Sequence, residues 1–152
     1  MTEPIYEDTP IYAWWLKLIV GVVLVTSLAI TGLLLFEEVY AALVALGITA
    51  LEALLFKAVL PQRFQIFGDR LRIVLGGPLA LNIGFSSIVE AREVSGLDVL
   101  PNWGIRFMTS TGNLVEIVRH ENLNVVIAPA NRDIFLQHLH EAIEAAQIEP
   151  PP

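Results

Sequence analysis

The chain has no cysteine among its 152 residues, which excludes disulfides, thiolate metal sites and cysteine nucleophiles together. Charge is scarce: 16% of residues are Asp, Glu, Lys or Arg, against about 25% in an ordinary soluble domain. Part of the chain is therefore built for surroundings other than water. Cations are scarcer still. Nine Lys and Arg face sixteen Asp and Glu, for a net charge of −7. A nucleic-acid binder needs a basic surface to neutralise phosphates, and this balance argues against one. The three histidines, His120, His138 and His140, form no ligand pair: His138 and His140 are two apart on a helical stretch and point in different directions. Ser86-Ser87 lacks a nucleophile elbow, and Gly76-Gly77-Pro78 lacks the lysine and following helix of a phosphate loop. No enzyme, metal site or cofactor is expected.

What the sequence has instead is two long apolar runs. From Ala13 to Leu35 the only charge is Lys17; from Val39 to Leu60 the charges are Glu52 and Lys57. About 20 apolar residues at 1.5 Å rise cross a hydrocarbon layer of roughly 30 Å, so residues 13–60 are expected to form a two-helix transmembrane hairpin behind an N-terminal tail of residues 1–12. Only Phe36-Glu37-Glu38 separate the helices, so both chain ends lie on one side. Lys17, Lys57 and Arg63 cluster at that side and the tip carries two glutamates, which predicts cytoplasmic termini and an inner-membrane location. Tyr12, Trp14 and Trp15 are the expected interfacial anchors. Small residues at Ala42, Ala45, Thr49 and Ala53 lie on one face of the second helix and suit a close neighbour offering Ser27, Thr31 and Gly32.

Glu52 has two readings. A carboxylate inside a span is by default a functional candidate, for ion movement or for contact with another membrane protein. It also lies only about 12 Å from the helix end, where a Lys17–Glu52 ion pair or a snorkelled side chain accounts for it.

After Pro61 the hydrophobic period changes from helical to alternating. Residues 63–67 and 70–75 flank Gly68-Asp69 and read as a tight hairpin, the glycine supplying positive φ. A two-residue turn pairs Phe67 with Arg70, Gln65 with Arg72 and Arg63 with Val74 on an outward face. Phe64, Ile66, Leu71 and Ile73 then face the core. Further strands are expected at 79–83, 87–94, 104–109, 113–118 and 123–128. A helix follows Asn131 as N-cap, its apolar positions being Ile134, Phe135, Leu139, Ala142, Ile143 and Ala146. Residues 61–147 thus read as about seven antiparallel strands, bent into a barrel or split barrel and closed by a C-terminal α-helix. Residues 148–152 form a proline-rich tail.

The strand meander, the segment Phe85-Ser86-Ser87-Ile88 running into Val89-Glu90-Ala91-Arg92-Glu93, and Asn124-Val125-Val126-Ile127-Ala128-Pro129 before a helix containing Phe135 carry a resemblance. They resemble the bacterial pleckstrin-homology-like (PH-like) domains of small membrane proteins with an N-terminal two-helix hairpin. The resemblance covers residues 62–147. It implies a PH-like β-barrel and a binding or scaffolding role. The helical hairpin, the lack of a catalytic constellation and the small neutral-to-acidic domain add the expectation of an accessory or assembly subunit of a membrane complex. The expected partners are the bilayer and another membrane protein or a second copy.

Phosphoinositide reading would call for lysines around the first hairpin. From Pro61 to Gln147 there are seven arginines, no lysine and nine acids, a net of −2. Arg63, Arg70 and Arg72 nevertheless share one face and form a candidate surface for anionic lipid, or a solvated face that blunts an edge strand. Leu97, Val99, Leu100 and Trp103 make the longest inter-strand loop apolar, either as a flap packed on the domain or as a partner contact.

Overall fold

The computed structural model describes residues 3–95, 104–120 and 123–148. Helices α1 (Trp14–Leu34) and α2 (Val39–Val59) form an antiparallel hairpin, each long and apolar enough to cross a membrane. They meet along a narrow stripe. Thr31 is the one buried residue of α1, and Ala42 and Thr49 are those of α2. Each threonine hydroxyl donates to the carbonyl four residues back, Thr31 to Ser27 and Thr49 to Ala45, so neither leaves a polar atom unsatisfied at the contact. Ala53 is exposed and Glu52 occupies its expected place on the stripe. Phe36, Tyr40, Val25 and Leu33 are among many large apolar side chains on the outside of the pair that are more than half exposed.

The remaining described residues form eight strands in two four-stranded sheets that do not close into a barrel. The first sheet has the order β1-β2-β3-β4, with β1 Tyr6–Asp8, β2 Pro61–Ile66, β3 Arg70–Leu75 and β4 Ala80–Gly84, all antiparallel. A 3-10 turn, Phe85–Ser87, leads into the second sheet. Its order is β5-β7-β8-β6, with β5 Ile88–Val94, β6 Gly104–Phe107, β7 Leu114–Arg119 and β8 Asn124–Ile127. Helix α3 (Arg132–Ile148) packs against both sheets.

Besides the open barrel, the expectation of about seven antiparallel strands needs two corrections. Tyr6–Asp8, expected in the N-terminal tail, is an edge strand paired with Phe64–Ile66. The chain passes β8 between β6 and β7, so β6 pairs with β8 in parallel. Alternation sets which face a residue takes, but it carries no information on which strand lies next to which. Gly104 permits this contact, since a Cβ there would sit 2.4 Å from the Asn124 carbonyl oxygen.

The first hairpin has the expected register, Gln65 opposite Arg72 and Arg63 opposite Val74, closed by the Phe67 N–H on the Arg70 carbonyl at 2.9 Å. Gly68 does not use positive φ, however; among the described residues only Asn113 does, at 54°. Pro61 already belongs to β2, and a register shift between Pro61 and Arg63 lets a residue without an N–H open the strand.

The core lies between the sheets. Phe64, Ile66, Leu71, Ile73 and Ile83 of the first face Val115, Ile117, Val125 and Ile127 of the second, with Phe135 and Leu139 of α3 closing one end. All are fully buried, and each such side chain contributes roughly 1.5–3 kcal/mol. Along α3, Ile134 is exposed and Leu136 packs against the core in its place.

Candidate functional site

The candidate sites follow from how the β region is mounted on the hairpin, where the charged groups go, and where the surface is concave. The mounting begins with the N-terminal segment. After β1, the Ala130 N–H donates to the Thr9 carbonyl, Ile11 N–H to Ala128, and Ala13 N–H to Thr109, before α1 starts at Trp14. Asp8, 5% exposed, spends one carboxylate oxygen on the Thr9 N–H and the other on the Asn131 N–H at 2.9 Å. A carboxylate from the far end of the chain thus occupies the N-terminus of α3, where exposed N–H groups and the helix dipole favour an anion. Asn131, expected as the N-cap, supplies there the N–H that Asp8 accepts and the carbonyl that receives the Phe135 N–H.

The second attachment is the exit from α2. Leu60 accepts a hydrogen bond from the Gly76 N–H at 3.1 Å, and the Tyr12 hydroxyl donates to the Pro61 carbonyl. Burial pushes the Tyr12 phenol above its ordinary value. The turn after β3 lies directly on the last turn of α2: a Cβ on Gly76 would stand 1.7 Å from the Lys57 carbonyl oxygen. Tyr12, expected as an interfacial anchor, is a structural strut between the start of α1 and the exit of α2. Trp14 projects outward at 75% exposure and Trp15 is half-buried.

The expected pair of Lys17 with Glu52 is not formed. Glu52 accepts a hydrogen bond from the Ser27 hydroxyl at 2.8 Å, and Lys17 lies ten residues before Ser27, about 15 Å along the axis at 1.5 Å per residue. Helix α1 begins well before the level at which α2 ends, a stagger that counting from helix ends does not reveal. Lys17 instead lies beside Tyr12, Leu16, Val20, Gly21 and Leu60, which line an apolar groove of about 310 Å³. It makes no ion pair among the described residues.

The arginine face is assembled as expected but partly neutralised. Arg63 pairs with Glu7 of β1 at 3.2 Å, and Arg70 pairs with Asp69 at 3.1 Å. Gln65 donates to the same Glu7 at 2.6 Å. Arg70 also lies over the Phe67 ring at 5.2 Å, and Phe67, expected outward, is 6% exposed. The Arg72 Nε is buried without a hydrogen bond. Leu97, Val99, Leu100 and Trp103 lie outside the described residues.

One concavity of the β region was not anticipated from the sequence. A cleft of about 640 Å³ is lined by Arg92, Glu93, Val94 and Ser95 of β5 and its end, by Thr111, Gly112 and Asn113 before β7, and by Glu116 and Arg132. Glu116 stands on the outer face of β7 yet is fully buried. Its strand partner Arg92 donates Nε and Nη2 to one carboxylate oxygen at 3.0 and 2.8 Å, and Asn124 Nδ2 donates to the other at 3.1 Å. This carboxylate, first by hydrogen bonding and then by its charge, raises the Arg92 guanidinium above its ordinary value. Across the cleft Arg132, in the first turn of α3, pairs with Glu93 and with Asp133. The available signal was a lone glutamate in the apolar run Leu114-Val115-Glu116-Ile117-Val118. Among the described residues no three His, Asp or Glu side chains converge as metal ligands would.

No family model matches the chain, and neither the curated proteins nor the solved structures contain a match.

Proposed function

We propose that this chain is a two-span inner-membrane protein whose PH-like β region is a non-enzymatic binding or scaffolding module at the cytoplasmic face, serving a larger membrane complex. The observation that carries the reading is the mounting. The β region is fixed to the hairpin by the Thr9–Ala13 strap and by the Gly76 turn on α2, so it presents its cleft in one orientation. A fixed pose lowers the entropy lost when a partner docks, which favours a binding role.

The membrane placement rests on the helices. A soluble core helix of this apolarity would be mostly buried, whereas only a small share of each of these two is buried and many of their large apolar side chains are about half exposed or more, an area a water-soluble monomer does not leave open. The PH-like reading draws support from the order of elements, two four-stranded sheets with a C-terminal helix. A binding role draws support from the cleft. Its charged side chains are engaged with one another, Arg92 with Glu116 and Arg132 with Glu93 and Asp133, which suits recognition better than proton transfer. The cytoplasmic side is the reading of Lys17, Lys57 and Arg63 at the end bearing the termini.

Two other readings draw less support. Transport through Glu52 would require a polar path, and its one hydrogen-bond partner is Ser27. Lipid sensing by Arg63, Arg70 and Arg72 starts from a face on which two guanidinium groups already hold carboxylates.

The test is crosslinking in native membranes followed by purification in mild detergent, comparing the parent with Thr111→Trp, which fills the cleft from an exposed position. A defined crosslinked partner should appear with the parent and be lost with the variant. A chain that elutes alone, or an unchanged partner set in the variant, contradicts the proposal.

A further inference from the structure

Beside the cleft, one other concavity differs in character. The groove at the junction of the hairpin and the β region has Leu16, Val20, Gly21 and Leu60 for walls, with Tyr12 and Lys17 as its only side chains bearing polar atoms. The Tyr12 hydroxyl is directed to the Pro61 carbonyl. Lys17 is exposed and makes no ion pair among the described residues. Lys17 and Gly21 are four apart on α1, so they share one face with the ammonium about 6 Å nearer the helix start. A side chain added at Gly21 would meet nothing within 4 Å, so the groove stays open below the lysine.

Depth turns these features into a site. Lys17 is the fourth residue of α1, with the aromatic residues Tyr12, Trp14 and Trp15 around the helix start. In the membrane reading on which this inference rests, that level is the headgroup layer, and Gly21 lies at the top of the acyl chains. An anion at Lys17 with an apolar tail running along Gly21 describes one kind of molecule.

We infer that this groove binds a single anionic glycerophospholipid, its phosphodiester on the Lys17 ammonium and one acyl chain along Leu16, Val20, Gly21 and Leu60. Charge complementarity selects the occupant. A bare lysine at the anionic headgroup level attracts a phosphate, whereas most of the protein is acidic and repels such lipids. The geometry also moves lipid recognition from the arginine face, where Arg63 and Arg70 are matched by Glu7 and Asp69, to a residue without such a match. The bound lipid fills the angle between α1 and the exit of α2, beside the Tyr12–Pro61 strut.

Native mass spectrometry of the full chain, released from micelles holding equal phosphatidylglycerol and phosphatidylcholine, reads this directly. The parent should retain one phosphatidylglycerol at least about tenfold over phosphatidylcholine, on the scale of one tenfold step per 1.4 kcal/mol. Lys17→Gln should bring the two lipids to parity and Lys17→Arg should restore the preference. Gly21→Leu, a change on an open helix surface, should expel both lipids. Equal retention by the parent, or a Gly21→Leu variant that keeps its lipid, overturns the site and leaves only general lipid coating. Alkaline carbonate extraction of membranes is the companion measurement. A chain retained in the pellet upholds the premise, and one released by carbonate overturns the membrane reading and this inference with it.

Discussion

Gly76→Ala is the sharpest probe of the mounting. The added methyl would lie 1.7 Å from the Lys57 carbonyl oxygen and 2.8 Å from its carbon, where ordinary contact begins at 3.4 Å. Something must move by about 1.7 Å, and both neighbours are backbone. Helix α2 cannot yield easily, because its last turn is held by the Leu60 N–H on the Phe56 carbonyl at 3.2 Å. The turn after β3 must lift away instead, which breaks the 3.1 Å hydrogen bond from Gly76 to Leu60. The lost bond costs about 1 kcal/mol and the overpacking roughly 1–3 kcal/mol, so the expected destabilisation is about 2–4 kcal/mol.

Urea unfolding of the full chain in mild detergent, followed by circular dichroism in the β band, measures this. Two alanine substitutions act as controls. At Gly68 an added Cβ meets nothing within 4 Å, and at Gly77 it meets the Ala58 Cβ at an ordinary 3.8 Å. Both should stay within about 0.5 kcal/mol of the parent, as surface substitutions do. Loosening should also show locally as faster tryptic cleavage after Lys57 and Arg63. If Gly76→Ala unfolds with Gly68→Ala and is cleaved no faster, the β region is not clamped to α2, and the fixed-orientation argument falls with it.

Asp8→Ala should cost about 1–2 kcal/mol by uncapping α3, and Asp8→Asn, which keeps an acceptor for the Asn131 N–H, should lose less; equal losses would contradict the capping role. Phe135→Ala should cost about 3–5 kcal/mol in the same urea assay, because the ring is fully buried against Phe64 and Tyr6. Tyr6 and Tyr12 both titrate above the ordinary phenol value of 10.0, each chiefly through burial, with Asp8 adding to the effect at Tyr6. A phenol that holds its proton more tightly folded than unfolded contributes stability that is whole below about pH 10 and is lost as pH climbs through the raised value. Unfolding free energy should therefore fall above about pH 10, and Tyr6→Phe should flatten part of that fall; a parallel profile would refute the assignment.

Much of the architecture was legible because it follows from local periodicity. Two apolar runs of helix-spanning length became α1 and α2. Alternation around Gly68-Asp69 specified the register of β2 and β3 and placed Phe64, Ile66, Leu71 and Ile73 in the core. The features that escaped are non-local. Tyr6–Asp8 is too short, and too closely flanked by Pro4 and Pro10, to show alternation, and it is a strand only because β2 offers an open edge. The insertion of β8 between β6 and β7 leaves every residue's facing unchanged and so leaves no trace in the pattern. Glu116 falls by alternation on the face away from the core, and is buried there by partners distant in the chain, Arg92 and Asn124, 24 residues before and eight after it. The Lys17–Glu52 pair failed on stagger: opposition of Ser27 to Glu52 puts Lys17 level with the end of α2.

The same stagger explains how the seam is held at several points without a long interface. Because α1 begins before the level at which α2 ends, its first residues rise alongside the β region, and Ala13 is within reach of the Thr109 carbonyl at 2.7 Å. The chain therefore enters the hairpin through a strap bonded just beyond the ends of β6 and β8, and leaves it directly into the first sheet through Pro61 of β2. Two attachments on different sheets resist rotation in a way that one linker cannot, and the Gly76 turn on Lys57 adds a third point out of line with them. Asp8, where β1 runs into the strap, also caps α3, whose first turn carries Arg132 on the wall of the cleft. Mounting and candidate binding surface are thus built from one continuous stretch of contacts, and a substitution at either end of it should be felt at the other.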